Sequence, residues 1–317
     1  FNVERVIRRR NETVRWSGVR QDVAFSSVAD AGVADGMVEI RRGDGVDVQP
    51  FGVAGVSRDH ETDSTDTDVD VGLDLFWRLT PQLTFSLSYN TDFAETEVDD
   101  RQINLTRFPL FFPEKRDFFL QDAGIFEFGG IRRNPLAFFS RRIGLGSDGT
   151  PRDILLGAKL TGRVDDVNIG LLNVLMDDDP ALGTKNLSVA RVSRNVLEQS
   201  SIGAILTYGD PDARGDSWLG GVDFAYRSSH LDGGRVLEAT GFLQYADDIV
   251  RGGDAAWGFK LGYPNDRVNW QVGFTDIGED YDAALGFVPR RGIREWFGNW
   301  RYRWRPEQTT WWRRIDA

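Results

Sequence analysis

Apolar and polar residues alternate with a period of two along most of the chain, and a helical period is nearly absent. In residues 68–79, Val69, Val71, Leu73, Leu75, Trp77 and Leu79 fall on one side. Asp68, Asp70, Gly72, Asp74 and Arg78 fall on the other, with Phe76 the one breach. Beyond Thr80-Pro81-Gln82, Leu83, Phe85, Leu87 and Tyr89 alternate with Thr84, Ser86, Ser88 and Asn90. The two runs predict a hairpin with one apolar and one polar face. The signature returns at 154–161, 167–171, 202–208, 218–226, 237–245, 257–263 and 268–274, with weaker candidates at 46–57 and 186–194.

Two regularities separate a membrane barrel from a soluble sandwich. Aromatics sit at the ends of the apolar faces: Trp77, Tyr89, Tyr208, Trp218, Tyr226, Tyr245, Trp257 and Tyr263. Amphipathic rings at strand ends are what the two headgroup interfaces of a bilayer select. Connections also alternate in kind. Tight turns are expected near 80–82, 164–166, 195–199, 264–266 and 305–308, and longer acid-rich loops near 58–67, 177–185, 209–216, 247–253 and 277–284. Outer-membrane barrels keep this asymmetry. The pattern therefore predicts an all-β, antiparallel transmembrane (outer-membrane) β-barrel, seen in part, with about twelve to fourteen strands of ~10 residues. Its polar face, carrying Asp68, Asp70 and Asp74, would line a wet lumen.

Residues 91–150 break the meander. The stretch 101–120 is too proline-rich for a central strand and too aromatic for a disordered loop, so it is expected to fold back as a lumenal plug or over one mouth. Within it, Arg107, Phe108, Phe112, Pro113, Glu114, Lys115, Arg116 and Asp117 are the candidate constriction. Buried charges must be paired, and Asp68, Asp70 and Asp74 are the expected partners. The plainer alternative is an ordered re-entrant loop that fills space.

Composition narrows the chemistry. A net charge of -11 repels phosphate, so no nucleic-acid partner is expected. There is no cysteine, which removes disulfides and thiol chemistry, and only His60 and His230 carry imidazole. No run of about eighteen apolar residues exists, which excludes a transmembrane helix but not a barrel. Residues 1–10 lack a signal peptide and Trp311–Ala317 reads as an unfinished strand, so a fragment is expected.

Several motifs reduce to simpler readings. Residues 144–149 spell the dinucleotide fingerprint, but a strand pattern follows where a phosphate site needs a helix. Ser217 and His230 flank a predicted strand of about nine residues, which holds them at least roughly 30 Å apart and rules out a serine-hydrolase pair. The acidic loops at 59–68 and 177–179 miss the EF-hand spacing and read as solvated. Trp296, Trp300 and Trp304 recur every four residues, yet Trp300, Tyr302 and Trp304 alternate with Asn299, Arg301 and Arg303, so a strand with lipid-facing anchors is preferred over a glycan platform. No carboxylate pair stands out for glycoside hydrolysis. Neither metal, cofactor nor catalytic residue is assigned.

The run from Asn90 through Phe93, Glu97, Asp99, residues 104–108, Phe111-Phe112-Pro113-Glu114-Lys115-Arg116 and Phe118-Phe119-Leu120 to Ile125-Phe126 resembles a family of uncharacterised outer-membrane barrels. In that family the barrel follows a carbohydrate-binding module of family 9 type. The likeness extends to residues 138–144, 157–162, 170–173 and 285–290, and the opening 1–5 and 9–12 resembles the junction after the module. The resemblance implies that residues 1–45 are that junction with a first strand. Residues 46–317 are then a barrel incomplete at its C-terminal end, with 91–150 inserted, and the module is missing. It implies no activity and no catalytic residues.

The leading expectation is a bacterial outer-membrane protein that passes or docks polar, saccharide-related solutes, with 101–120 narrowing the pore. Its partners would be outer-membrane lipid and a saccharide. The alternatives are a non-conducting anchor presenting a carbohydrate-binding domain, and a membrane-embedded glycan hydrolase.

Overall fold

A computed structural model describes residues 2–10, 12–17, 45–59, 64–91, 107–131, 135–144, 152–179, 183–213, 215–305 and 315–316. β1 (Glu4–Ile7) and β2 (Glu12–Arg15) form a separate hairpin. The main sheet opens with β3 (Val46–Asp59), β4 (Ser64–Thr80) and β5 (Leu83–Thr91). It continues with β6 (Ile154–Val164), β7 (Val167–Asp179), β8 (Gly183–Val196), β9 (Ser200–Tyr208) and β10 (Trp218–Leu231). β11 (Arg235–Asp248), β12 (Gly252–Pro264), β13 (Val268–Ile277), β14 (Ile293–Trp304) and β15 (Ile315–Asp316) complete it. The architecture is all-β: a 13-stranded meander in which each strand pairs antiparallel with its neighbours in sequence. Its edges, β3 and β15, do not pair with each other, so the sheet is open where the sequence pattern predicted part of a barrel.

The period-two pattern becomes two faces because cross-strand pairing keeps parity. One row runs Trp77, Phe85, Leu160, Leu171, Ala190, Leu206, Gly220, Tyr245 across eight strands. On this apolar face Val71 is 64% exposed, Ile202 52% and Trp296 67%. The neighbouring row of the other face runs Phe76, Ser86, Lys159, Leu172, Val189, Thr207, Leu219, Ala246. Most of that row is buried, polar members included.

The cover comes from residues 107–131 and 135–144, between β5 and β6, and from residues 278–292 between β13 and β14. It includes helix α1 (Asp117–Leu120) and two 3-10 turns, Ala123–Phe126 and Ser140–Arg142. The apolar core lies between this cover and the sheet: Phe118, Phe119, Phe126 and Ile143 from the first segment, Tyr281 and Leu285 from the second, Val174, Leu187 and Leu219 from the strands.

Short turns at 81–82, 165–166, 197–199, 232–234 and 265–267 gather at one end of the meander. The longer insertions, after β5, β9 and β13, leave the sheet at the other. Three loops expected to be long are not: β3 and β4 run through most of the expected loop 58–67 and leave a connection of four residues, 60–63. The other two, at 180–182 and 249–251, span three residues, because β7, β8, β11 and β12 continue through their acidic ends. A ladder is made by backbone N–H and C=O groups, which an aspartate side chain does not interrupt.

Candidate functional site

The covered face and the segment lying on it form the candidate site. Glycines on the sheet let the segment approach. A Cβ at Gly157 would meet the Phe118 ring at 3.0 Å, and one at Gly170 would meet Ile125 at 2.9 Å and Phe126 at 3.0 Å.

Polar anchors then hold the segment, mostly through its backbone. Lys159 Nζ, buried on β6, donates to the carbonyls of Phe118 and Gln121, the latter at 2.6 Å. Thr161 Oγ1 donates to Asp122 at 2.7 Å. Farther along, Arg191 and Asp223 form a two-pronged ion pair at 2.7 and 2.8 Å. Arg191 Nε also donates to Glu127 O at 3.1 Å, and the N–H of Gly129 donates to Asp223 at 3.0 Å. Lys260 Nζ donates to Gly130 O at 3.2 Å. Hydrogen bonds to charged groups contribute about 1.5–3 kcal/mol each, so several of them hold a helix-poor segment well.

At the loop end the two covering segments join. Leu136 pairs with Phe287, and the N–H of Phe139 donates to Leu285 O at 2.8 Å. The rings of Phe111, Phe139 and Phe287 stand 4.9–5.5 Å apart. Arg142 donates to Asp212 at 2.8 Å and to Ala284 O at 3.2 Å. Asp282 sits between Arg251 and Arg291, at 3.3 and 2.8 Å. Burial pushes its carboxyl above the usual carboxylate range, against the pull of both guanidiniums.

The predicted constriction residues take distinct places. Arg116 is buried, and its side chain closes on Glu114 within the same segment: Nε to Oε1 at 2.8 Å, Nη2 to Oε2 at 2.7 Å. Ser140 Oγ donates to Glu114 at 2.6 Å, and Arg116 donates to the carbonyls of Ile143 and Ser140 at 2.7 and 2.9 Å. Burial raises the Glu114 pKa, but the hydrogen bond and charge of Arg116, with Ser140, outweigh it and hold the carboxyl below its ordinary value. Arg107 and Arg290 stand 5.2 and 5.3 Å from the Phe108 ring, and Arg141 stands 5.9 Å from Phe112. Pro113 O accepts from Arg141 at 3.0 Å. The backbone N–H of Lys115 donates to Glu114, and Asp117 begins α1.

The sequence reading had paired this run with acids of the sheet. Glu114 supplies that carboxylate to Arg116 instead, because a carboxylate two residues away meets the flat guanidinium fork without spanning the sheet. The side chains of Asp68 and Asp70 lie outside the described residues. Asp74 lies on the covered face, and its Oδ1 is buried with no hydrogen-bond partner. His60, residues 101–106 and 145–150, and Trp311 and Trp312 also lie outside the described residues.

Ser217 Oγ bonds Asp210 and Asp248, while His230 stands at the far end of β10 against Glu198, so the two do not meet. Trp296, Trp300 and Trp304 share one face of a strand. Of the strand-end aromatics, Tyr89, Tyr208, Trp218, Tyr245 and Trp257 lie toward the loop end, and Trp77, Tyr226 and Tyr263 toward the turn end.

Sequence reasoning missed Lys159, Arg191 and Asp223. Their only local signal was a charged residue on the polar side of a strand pattern, shared with many surface positions. It also passed over a cleft of about 670 Å³ where α1 meets β3–β5, lined by Asp47, Gln49, Phe76, Arg78, Thr84, Asp117, Leu120 and Gln121.

Residues 46–175, which span β3 to most of β7 and the inserted segment, match the model of a family described as a domain of unknown function (DUF5916). No curated protein and no solved structure matches the chain.

Proposed function

We propose that the chain is wall and lumenal segment of a bacterial outer-membrane β-barrel that passes or docks polar, saccharide-related solutes. The segment 101–120 narrows the passage. The carrying observation is the inversion of the sheet. Its uncovered face exposes Val, Leu, Ile, Phe and Trp on strand after strand, and its covered face buries Lys159, Arg191, Thr161 and Gln244. A water-soluble sandwich turns its apolar face inward and does not leave a second apolar face uncovered outside. Contiguous exposed apolar area beyond a few hundred Å² marks a membrane or partner surface. Lipid suits this one, because aromatics cluster toward both ends of the strands and, between the two edge strands, backbone polar groups are satisfied within the ladders. Among the described residues no helix is long and apolar enough to cross a membrane.

Planar-bilayer conductance of the full-length protein, with and without residues 101–120, tests this reading. Steady channels that widen on deletion are expected. A silent bilayer from verifiably folded, inserted protein refutes the pore and leaves the anchor reading in its place.

A further inference from the structure

The cleft beside α1 has an organised floor. Cross-strand pairing sets Phe76 between Asp47 on β3 and Ser86 on β5, with Arg78 and Asp74 two residues away on its own strand. Phe76 is the one residue of β4 that breaks the alternation, an aromatic ring placed on the polar face. Gln49 lies diagonally across from it and donates to Asp47 at 3.2 Å. Asp117 faces the cleft from the inserted segment. Asp47, Asp117 and Arg78 line this one space, yet among the described residues none of them forms an ion pair.

This combination is selective. Carboxylates only accept, a guanidinium only donates, and an amide or hydroxyl does both. A ligand that satisfies all of them carries groups that each donate and accept, as sugar hydroxyls do. A simple anion would meet Asp47 and Asp117, and a simple cation would meet Arg78. The flat apolar face of Phe76 fits the C–H face of a pyranose ring, and about 670 Å³ falls within the range of small-ligand sites. We propose that this cleft is a saccharide subsite. Phe76 is its platform, and Asp47, Gln49, Arg78 and Asp117 bind hydroxyls around it. The proposal rests on the polar-solute reading above and names the solute class and the residues that select it.

The test is isothermal titration of the full-length protein in lipid nanodiscs with three probes: maltotriose, cellotriose and the zwitterionic dipeptide Gly-Gly. Phe76→Ala, Asp117→Asn and a control, Asp165→Asn in the β6–β7 turn, are compared with the parent. At least one trisaccharide is expected to bind, at least tenfold more weakly in Phe76→Ala and Asp117→Asn and unchanged in Asp165→Asn, while Gly-Gly does not bind. The isosteric Asp117→Asn keeps the test valid if Phe76→Ala fails to fold. Neither sugar binding to folded protein, binding indifferent to both variants, or binding of Gly-Gly in place of the sugars overturns the proposal. Conductance separates the two claims. Channels without sugar binding sink the subsite alone, and sugar binding to a non-conducting protein sinks the pore alone.

Discussion

Replacing Glu114 by Ala tests whether the inserted segment is an autonomous element or a passive filler. The change leaves Arg116, whose side chain is 6% exposed, without the carboxylate that receives Nε and Nη2 at 2.8 and 2.7 Å. It also strips Ser140 Oγ and the N–H groups of Lys115 and Arg116 of their acceptor. Removing one partner of a buried pair costs about 3–5 kcal/mol. Arg116 keeps two carbonyl acceptors, on Ile143 and Ser140, which puts the expected cost near the lower bound, at ~3 kcal/mol. At about 1.4 kcal/mol per tenfold change, local opening becomes roughly a hundredfold more frequent. Both partners lie inside the segment, so the loss is expected to stay there. Amide hydrogen exchange at Phe119, Leu120 and Ile143, whose N–H groups bond Arg116 O and Ser140 O, is to be compared with the β6–β7 ladder. The segment amides should exchange about a hundredfold faster while the ladder is unchanged. The double variant Glu114→Ala/Arg116→Met should recover most of the protection, because it leaves no buried charge. Segment amides that keep their protection, or a ladder that loses it equally, would refute the reasoning. Acid acts the same way: Glu114 is held below its ordinary value, so its contribution is present above about pH 4.5 and fades as the pH falls.

Two further outcomes follow from the strands and turns. Gly162→Ala puts a Cβ 2.0 Å from Gln82 O at a φ of +151°. The backbone cannot yield there, so a loss of more than about 2 kcal/mol is expected in urea unfolding, and an unchanged midpoint would contradict the register of β5 and β6. Asp266 receives hydrogen bonds from Arg305 and Arg303, which hold its pKa at about 2. Its share of stability is therefore complete above the ordinary value of 3.8 and is lost as the pH falls toward 2. The N–H of Arg303, bonded to Arg267 O, should lose exchange protection over that window in the parent, and Asp266→Asn should remove the pH dependence.

The strands were legible in the sequence because their cause is local. A two-residue period, a turn and a strand-end aromatic are each read within a few residues, and the antiparallel meander follows once neighbours in sequence pair. The weak candidates at 46–57 and 186–194 became β3 and β8 for the same reason. The sequence also marked residues 101–120 as packed rather than loose, from their prolines and aromatics, and of these the described part, 107–120, includes the buried Arg116, Phe118 and Phe119; it likewise set Phe76 apart as a breach.

Tertiary structure alone decided what touches what. Lys159 holds carbonyls 41 and 38 residues away, and Arg142 reaches Ala284 across 142 residues. No periodicity encodes such pairs, because a backbone carbonyl is present at every position and the distance is closed only by the fold. The same holds for the partner of Arg116. The sequence offers 49 acids, and the one chosen is the carboxylate that the chain's own turn brings beside the guanidinium. The lining of the cleft is of this kind too. Asp47 is unremarkable where it stands in the chain, and Phe76 and Asp117, which the sequence marked on separate grounds, become one site with it only when two strands and a short helix bring them together.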